Sequence, residues 1–174
     1  PVFTSGAGFS AAENQTSIGT VTATDADGDT VTFTVSGSDL EITSAGVLTF
    51  ASAPDYETKS SYTATVTASD GTNTTTQDIT VTVTNVNEHS PVFTSGAGFS
   101  AAENQTSIGT VTATDADGDT VTFTVSGSDL EITSAGLLTF ASAPDYESTT
   151  VYSATVTASD GTNTTTQDIT VALD

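Results

Sequence analysis

The stretch YTATVTASDGTNTTTQDITVTVT, residues 62–84, holds two runs of alternating character, YTATVTAS (62–69) and DITVTVT (78–84), with the turn signal SDGT after the first. A period of two places successive side chains on opposite faces of an extended chain, so each run is expected to be a strand with one buried face. Val66 and Val81 point inward, as does Phe33 in VTFTV (31–35), and their threonine neighbours point outward. Threonine is β-branched, so it favours strands while leaving an uncharged solvent face.

Turn signals such as DADGD, SAG and SDGT separate further short runs, and nothing reads as an amphipathic helix. Seven strands are predicted: 2–11 (A, broken at Gly6/Gly8), 18–24 (B), 31–36 (C), 39–43 (D), 47–50 (E), 61–69 (F) and 75–84 (G). Seven short antiparallel strands in this length give an all-β, immunoglobulin-like Greek-key sandwich. Phe33, Phe50, Tyr56 and Tyr62 are expected in its core.

The whole pattern occurs twice. Shifting the sequence by 90 positions aligns 84 pairs, of which 75 are identical. The differences fall at 47/137, within 58–63/148–153, and at the last three residues. Two tandem domains are predicted, 1–90 with a linker at 85–90, and 91–174. A period of this length lets each copy hold its own core, unlike the 20–50-residue units of a solenoid. The chain opens on a module start and closes on a last strand, as a piece of a longer array would.

Cysteine is absent, which removes a disulfide framework, thiol catalysis and Cys-based zinc sites. Twenty-two acidic residues stand against one cation, Lys59, for a net charge of −21. That balance argues against nucleic acid or an anionic membrane surface as partner and favours cations. No apolar run approaches the roughly 20 residues of a membrane span, so no membrane insertion is expected. The lone His89 offers no Ser/His/Asp arrangement, so no enzymatic activity is expected.

If each strand reverses the one before, the A–B and E–F loops and the exit from G lie at one end of a domain. The B–C and F–G loops lie at the other. Glu13, Asp55, Glu57 and Glu88 then gather at the bottom of the first copy, while Asp115, Asp117, Asp119 and Asp160 gather at the top of the second, across TNVNEHSP. Two carboxylates about 4 Å apart repel by roughly 1 kcal/mol even in water. Hard oxygen ligands without a His or Cys cluster select Ca²⁺, which takes 6–8 oxygens in flexible geometry. A single DADG can equally be a good turn, since Asp caps turns. DADGD also echoes part of an EF-hand loop, but its flanks read as strands and the closing Glu of that motif is missing.

AEN (12–14), TDADG (24–28), SAGVLTFASAPDYE (44–57), TASDGT (67–72) and NVNEHSP (85–91), in this order, resemble the marks of tandem cadherin repeats over essentially the whole chain. The resemblance implies three Ca²⁺ ions at the junction. Glu13, Asp55, Glu57 and Glu88, with Asn85, the Val86 carbonyl and Asp117, would hold two. Asp115, Asp117 and Asp160, with the Asn87 side chain and the His89 carbonyl, would hold the third, and Asp119 is a further candidate. The family's linker commonly reads Asp-x-Asn-Asp-Asn-x-Pro, where this chain has Asn85, Glu88 and His89. Asn85 keeps an oxygen but loses a charge, and His89 is expected to contribute only its backbone oxygen.

These readings imply a calcium-rigidified spacer of an extracellular, cell-surface or secreted protein, most like the cadherin-like repeats of large bacterial adhesins. Its partners would be neighbouring repeats. The alternative is a homophilic or carbohydrate-binding adhesive domain; the missing tryptophan counts against the strand exchange of many vertebrate cadherins. Asp25, Asp27 and Asp70 lack a preceding linker, and Glu103, Asp145 and Glu147 a following one, so these stand only as incomplete half-sites.

Overall fold

A computed structural model describes residues Pro1–Asp174. The chain divides into two compact units, Pro1–Val86 and Asn87–Asp174, so residues 87–90, read above as linker of the first copy, group with the second. No helix is long and apolar enough to cross a membrane.

The first unit holds β1 (Val2–Phe3), β2 (Gly8–Ala12), β3 (Ser17–Thr20), β4 (Ala23–Thr24), β5 (Thr32–Val35), β6 (Leu40–Ile42), β7 (Val47–Phe50), β8 (Ser61–Ser69) and β9 (Thr74–Thr84). One sheet runs β2-β9-β8-β5 and a second β3-β7-β6, while β1 pairs with β4. The predicted strands A and B are thus each divided. Strand A leaves β4 and joins β9 after the Gly6–Gly8 stretch, where the break was expected. Strand B changes partner from β7 to β1 around Val21, whose N–H donates to Gly46 O at 2.8 Å.

One pairing departs from the all-antiparallel expectation: β2 and β9 run parallel, Gly8 opposite Thr80 through Ala12 opposite Thr84. The reversal rule itself requires this, because the first and seventh strands of an alternating series point the same way.

The core lies between the sheets. Phe33, Val66, Ile79 and Val81 from one meet Leu40, Leu48 and Phe50 from the other. Full burial of such side chains contributes about 1.5–3 kcal/mol each. Tyr62 packs edge-on against Phe50, ring centroids 5.2 Å apart. Tyr56 was expected in the core but is 36% exposed. It sits between β7 and β8, where its backbone rather than its ring is used.

Gly46 shows why SAG reads as a turn. Its φ is +96°, and a Cβ there would lie 2.1 Å from Val21 O. Only glycine fits both conditions.

The second unit repeats the plan with β10 (Val92–Phe93), β11 (Gly98–Ala101), β12 (Ser107–Thr110), β13 (Ala113–Thr114), β14 (Thr122–Val125), β15 (Leu130–Ile132), β16 (Leu137–Phe140), β17 (Val151–Ser159) and β18 (Thr164–Leu173). Its sheets run β11-β18-β17-β14 and β12-β16-β15, and β11 is again parallel to β18.

Candidate metal centre

In the first unit the turn after β2 sets the acidic end. Asn14 adopts φ +62°, a left-handed conformation that asparagine tolerates better than most residues, and its N–H donates to Pro54 O at 2.9 Å. The turn thereby fixes Glu13, which is only 3% exposed. Its Oε1 accepts from the Val86 N–H and its Oε2 from the Tyr56 N–H, both at 2.8 Å. One buried carboxylate therefore ties the exit of β9 to the loop before β8. Asp55 Oδ1 accepts from the Glu57 N–H at 3.0 Å, and Asp55 Oδ2 from the Thr58 hydroxyl at 3.0 Å. The Thr58 hydroxyl is the main reason Asp55 titrates below the ordinary aspartate range. Carboxylate oxygens of Glu13, Asp55 and Glu57 lie within 4.8 Å of one another. Reversal of strands had placed these three together, and they are together. Asn85 and Val86 follow β9 as exposed residues.

The second unit gathers its acids in the loop after β13. Asp115 Oδ1 accepts from the Asp117 N–H at 3.0 Å and the Asp119 N–H at 3.3 Å, with Gly118 at φ +83° completing the turn. Carboxylate oxygens of Asp115, Asp117 and Asp119 fall within 4.8 Å of one another. Asp115 Oδ2 is buried and has no hydrogen-bond partner. Burial, reinforced by the charges of Asp115, Asp160 and Asp117, pushes Asp119 above the ordinary range.

Residues 87–89 attach to this cluster. Asp117 Oδ2 accepts from the N–H groups of Glu88 (2.9 Å) and His89 (2.7 Å). Asp117 Oδ1 lies 2.7 Å from His89 Nδ1. Burial would raise Asp117, but the His89 ring and these backbone donors outweigh it and hold the carboxyl low. His89 was expected to offer only its carbonyl; its ring is engaged as well. Glu88, expected to ligate with Glu13, Asp55 and Glu57, donates its backbone N–H to Asp117.

Asp160, in the β17–β18 loop, accepts through Oδ1 from the N–H groups of Thr162 (2.7 Å) and Asn163 (2.6 Å). These and the Asn163 side chain overcome the effect of burial and lower its pKa. Asn163 is a residue that sequence reasoning missed. Its Nδ2 faces Asn87 Oδ1 at 2.7 Å, His89 O at 3.1 Å and Asp160 Oδ2 at 3.3 Å. Three oxygens expected to ligate a cation thus converge on one amide nitrogen. The signal was present in the sequence as the Asn of SDGTN, two residues beyond the turn glycine.

Equivalent clusters recur at Asp25, Asp27 and Asp29, and at Glu103, Asp145 and Glu147. Asp70 accepts from the Asn73 and Thr72 N–H groups, in that order of effect, and titrates low.

No protein-family model matches the chain, and no curated protein matches it. Solved structures do. Mouse cadherin-23 EC22-24 superposes with TM-score 0.82 at 22% identity over 96% of this chain, which spans 63% of that one. Human protocadherin-24 EC1-2 gives 0.81 at 19% identity, covering 99% of this chain and 96% of the other. Chicken VE-cadherin EC1-2 gives 0.73 at 20% identity, with 98% of each chain covered. At such identities the likeness speaks to architecture: the chain has the all-β fold of tandem cadherin ectodomain repeats.

Proposed function

We propose that the chain is a calcium-dependent structural and adhesion module, in which Ca²⁺ bound between tandem repeats stiffens an extended extracellular protein. Asp115 carries this reading. Its Oδ2 is buried without a hydrogen-bond partner and has the carboxylates of Asp117 and Asp119 beside it. A buried ionised oxygen needs a counter-charge. The chain's sole Lys or Arg is Lys59, which pairs with Asp39 in the first unit. The His89 ring beside the cluster is taken by Asp117, so an added cation is the counter-charge this reading assigns to Asp115, and an all-oxygen set of carboxylates, amides and carbonyls fits Ca²⁺.

When bound, the ion neutralises clustered carboxylates and accepts several oxygens at once. On this reading Asp115, Asp117 and Asp160, with Asn87 Oδ1 and the His89 carbonyl, hold one ion. Glu13, Asp55, Glu57 and Glu88, with Asn85, the Val86 carbonyl and Asp117, hold two more, and Asp119 adds charge. Ions liganded from both repeats make bending cost coordination, so a hinge becomes a stiff joint. Extracellular modules of this kind bind in the range of about 10⁻⁴–10⁻³ M, so occupancy follows calcium outside the cell. The shared fold with cadherin ectodomains supports that location, and the scarcity of Lys and Arg beside near-identical copies supports a bacterial surface adhesin. The module performs no catalysis.

Calorimetry and small-angle scattering with Ca²⁺ and with a chelator test the reading. Calcium is expected to raise the melting temperature and lengthen the particle. Equal values in both conditions refute it. Tyr56 and Tyr146, residues 36% and 44% exposed, favour a second role in homophilic or glycan contact. Glycan-array hits or calcium-dependent dimers would establish it.

A further inference from the structure

Beside Tyr62 the first unit has a cleft of about 310 Å³, walled by Ser38, Asp39, Ser52, Asp55, Thr58 and the tyrosine. Lys59 lays its ammonium against two of these walls: Nζ is 3.4 Å from Asp39 Oδ2 and 4.4 Å from the centroid of the Tyr62 ring. A cation over an aromatic face and against a carboxylate is held from both sides. The second unit has the same cleft, about 220 Å³, with Asp129 for Asp39, Asp145 for Asp55 and Tyr152 for Tyr62. Its ring is propped in the same way, since Tyr152 packs edge-on to Phe140 at 5.1 Å and 68°, as Tyr62 does to Phe50 at 5.2 Å and 65°. What differs is the cation against these walls: position 149 is an exposed threonine where the first copy has Lys59, which leaves the first cleft open while contacting Asp39 and Tyr62.

We infer that the Asp129–Tyr152 cleft of the second unit binds a primary alkylammonium group, supplied in trans, of the kind that Lys59 supplies in cis to the first. The ligand class follows from what Lys59 presents to the matching Asp39 and Tyr62: an ammonium on an aliphatic stem, its N–H groups toward the carboxylate and its charge over the ring. The net charge of −21 concentrates such cations around the chain. Asp55, which walls the first cleft, is a calcium ligand proposed above, but Asp129 and Tyr152, which make the proposed contacts, are not, so this site stands or falls separately.

The test is an NMR titration of the full chain at saturating Ca²⁺ and constant ionic strength. The probes are n-butylammonium, N-acetyl-lysine N-methylamide and tetramethylammonium. Both primary ammonium probes are expected to shift Tyr152 and Asp129 saturably and to leave Tyr62 unmoved. Thr149→Lys, a change at an exposed position, should place a competing ammonium on Asp129 and Tyr152 and abolish the response. Lys59→Thr should create a second response at Tyr62. A lysine amide that binds several-fold tighter than butylammonium identifies the source as a protein's lysine; equal affinities identify a free amine. The inference is overturned if Tyr152 shows no saturable shift, if tetramethylammonium binds as well as the primary amines, or if Thr149→Lys leaves binding unchanged.

Discussion

Asp117 grips His89 at two places, accepting the backbone N–H through Oδ2 and meeting ring Nδ1 with Oδ1, each at 2.7 Å. Charge-assisted contacts of this length are among the stronger hydrogen bonds. The segment leading into the second unit is therefore fastened by the same carboxylate that is proposed to ligate calcium. Asp117→Asn is expected to weaken calcium binding and loosen the joint, whereas Asp39→Asn, on an exposed ion pair with Lys59, should do neither. Calcium titration calorimetry on the two variants compares them directly.

Asp119 should change the sign of its contribution with metal. Its carboxyl titrates high because of burial and the charges of Asp115, Asp160 and Asp117. In chelator, Asp119→Asn is expected to raise the melting temperature. In saturating Ca²⁺ the same variant should melt at or below the parent. Calorimetry that finds destabilisation in chelator would contradict the repulsion argument.

Acid should unfold the metal-free chain by a defined route. Asp55, Asp70, Asp117 and Asp160 titrate low in the fold, so their stabilisation is present above the ordinary aspartate pKa of about 3.9 and is lost as pH falls through their lower folded values. Asp119 acts oppositely, stabilising at low pH and losing that contribution as pH rises through its elevated value. The four outnumber the one, so melting temperature in chelator should drop below about pH 4. A flat profile from pH 6 to about pH 2 would remove the claim.

Asn163 stands behind the proposed ligands Asn87, His89 and Asp160. Asn163→Ala should reduce calcium affinity by roughly 10- to 100-fold, the usual cost of losing a group that orients ligands. Asn73→Ala, at the matching position of the first unit, should leave binding at the junction unaltered. Isothermal titration of both variants checks the contrast.

Gly46→Ala should destabilise the first unit by at least about 2 kcal/mol, because the added Cβ meets Val21 O in a left-handed backbone. Gly8→Ala, with open space around it and no positive φ, is the control. Denaturant unfolding of each variant gives the difference.

The strands were legible wherever one face is buried. Alternation located Val47–Phe50 and Ser61–Ser69 to the residue and the start of the last strand within one. It did not show that strands A and B each serve two partners, because an exchange of partners leaves the inward-outward pattern intact. Gly6 and Gly8 marked the first exchange; near the second the sequence carries only Gly19, at a register shift inside β3, and the Val21 N–H turns to a distant carbonyl, that of Gly46. The acids were legible as clusters since loop parity needs only the strand count. The ring of His89 and the amide of Asn163 were not, because their partners follow from side-chain directions that no spacing rule supplies. Tyr56 was misplaced for a related reason: aromatic character marks the core on a strand, but this residue lies in a loop that Glu13 anchors by its N–H.

In the first unit the parallel alignment of Gly8–Ala12 with Thr74–Thr84 places the earliest and latest strands side by side, pointing the same way. Tension drawn through the two ends of that unit would slide these strands past each other along their length. Their evenly spaced hydrogen bonds would share the load and fail together, rather than peeling open one after another. The same alignment in the second unit, Gly98–Ala101 against Thr170–Leu173, makes each a mechanical fuse that resists traction by shear.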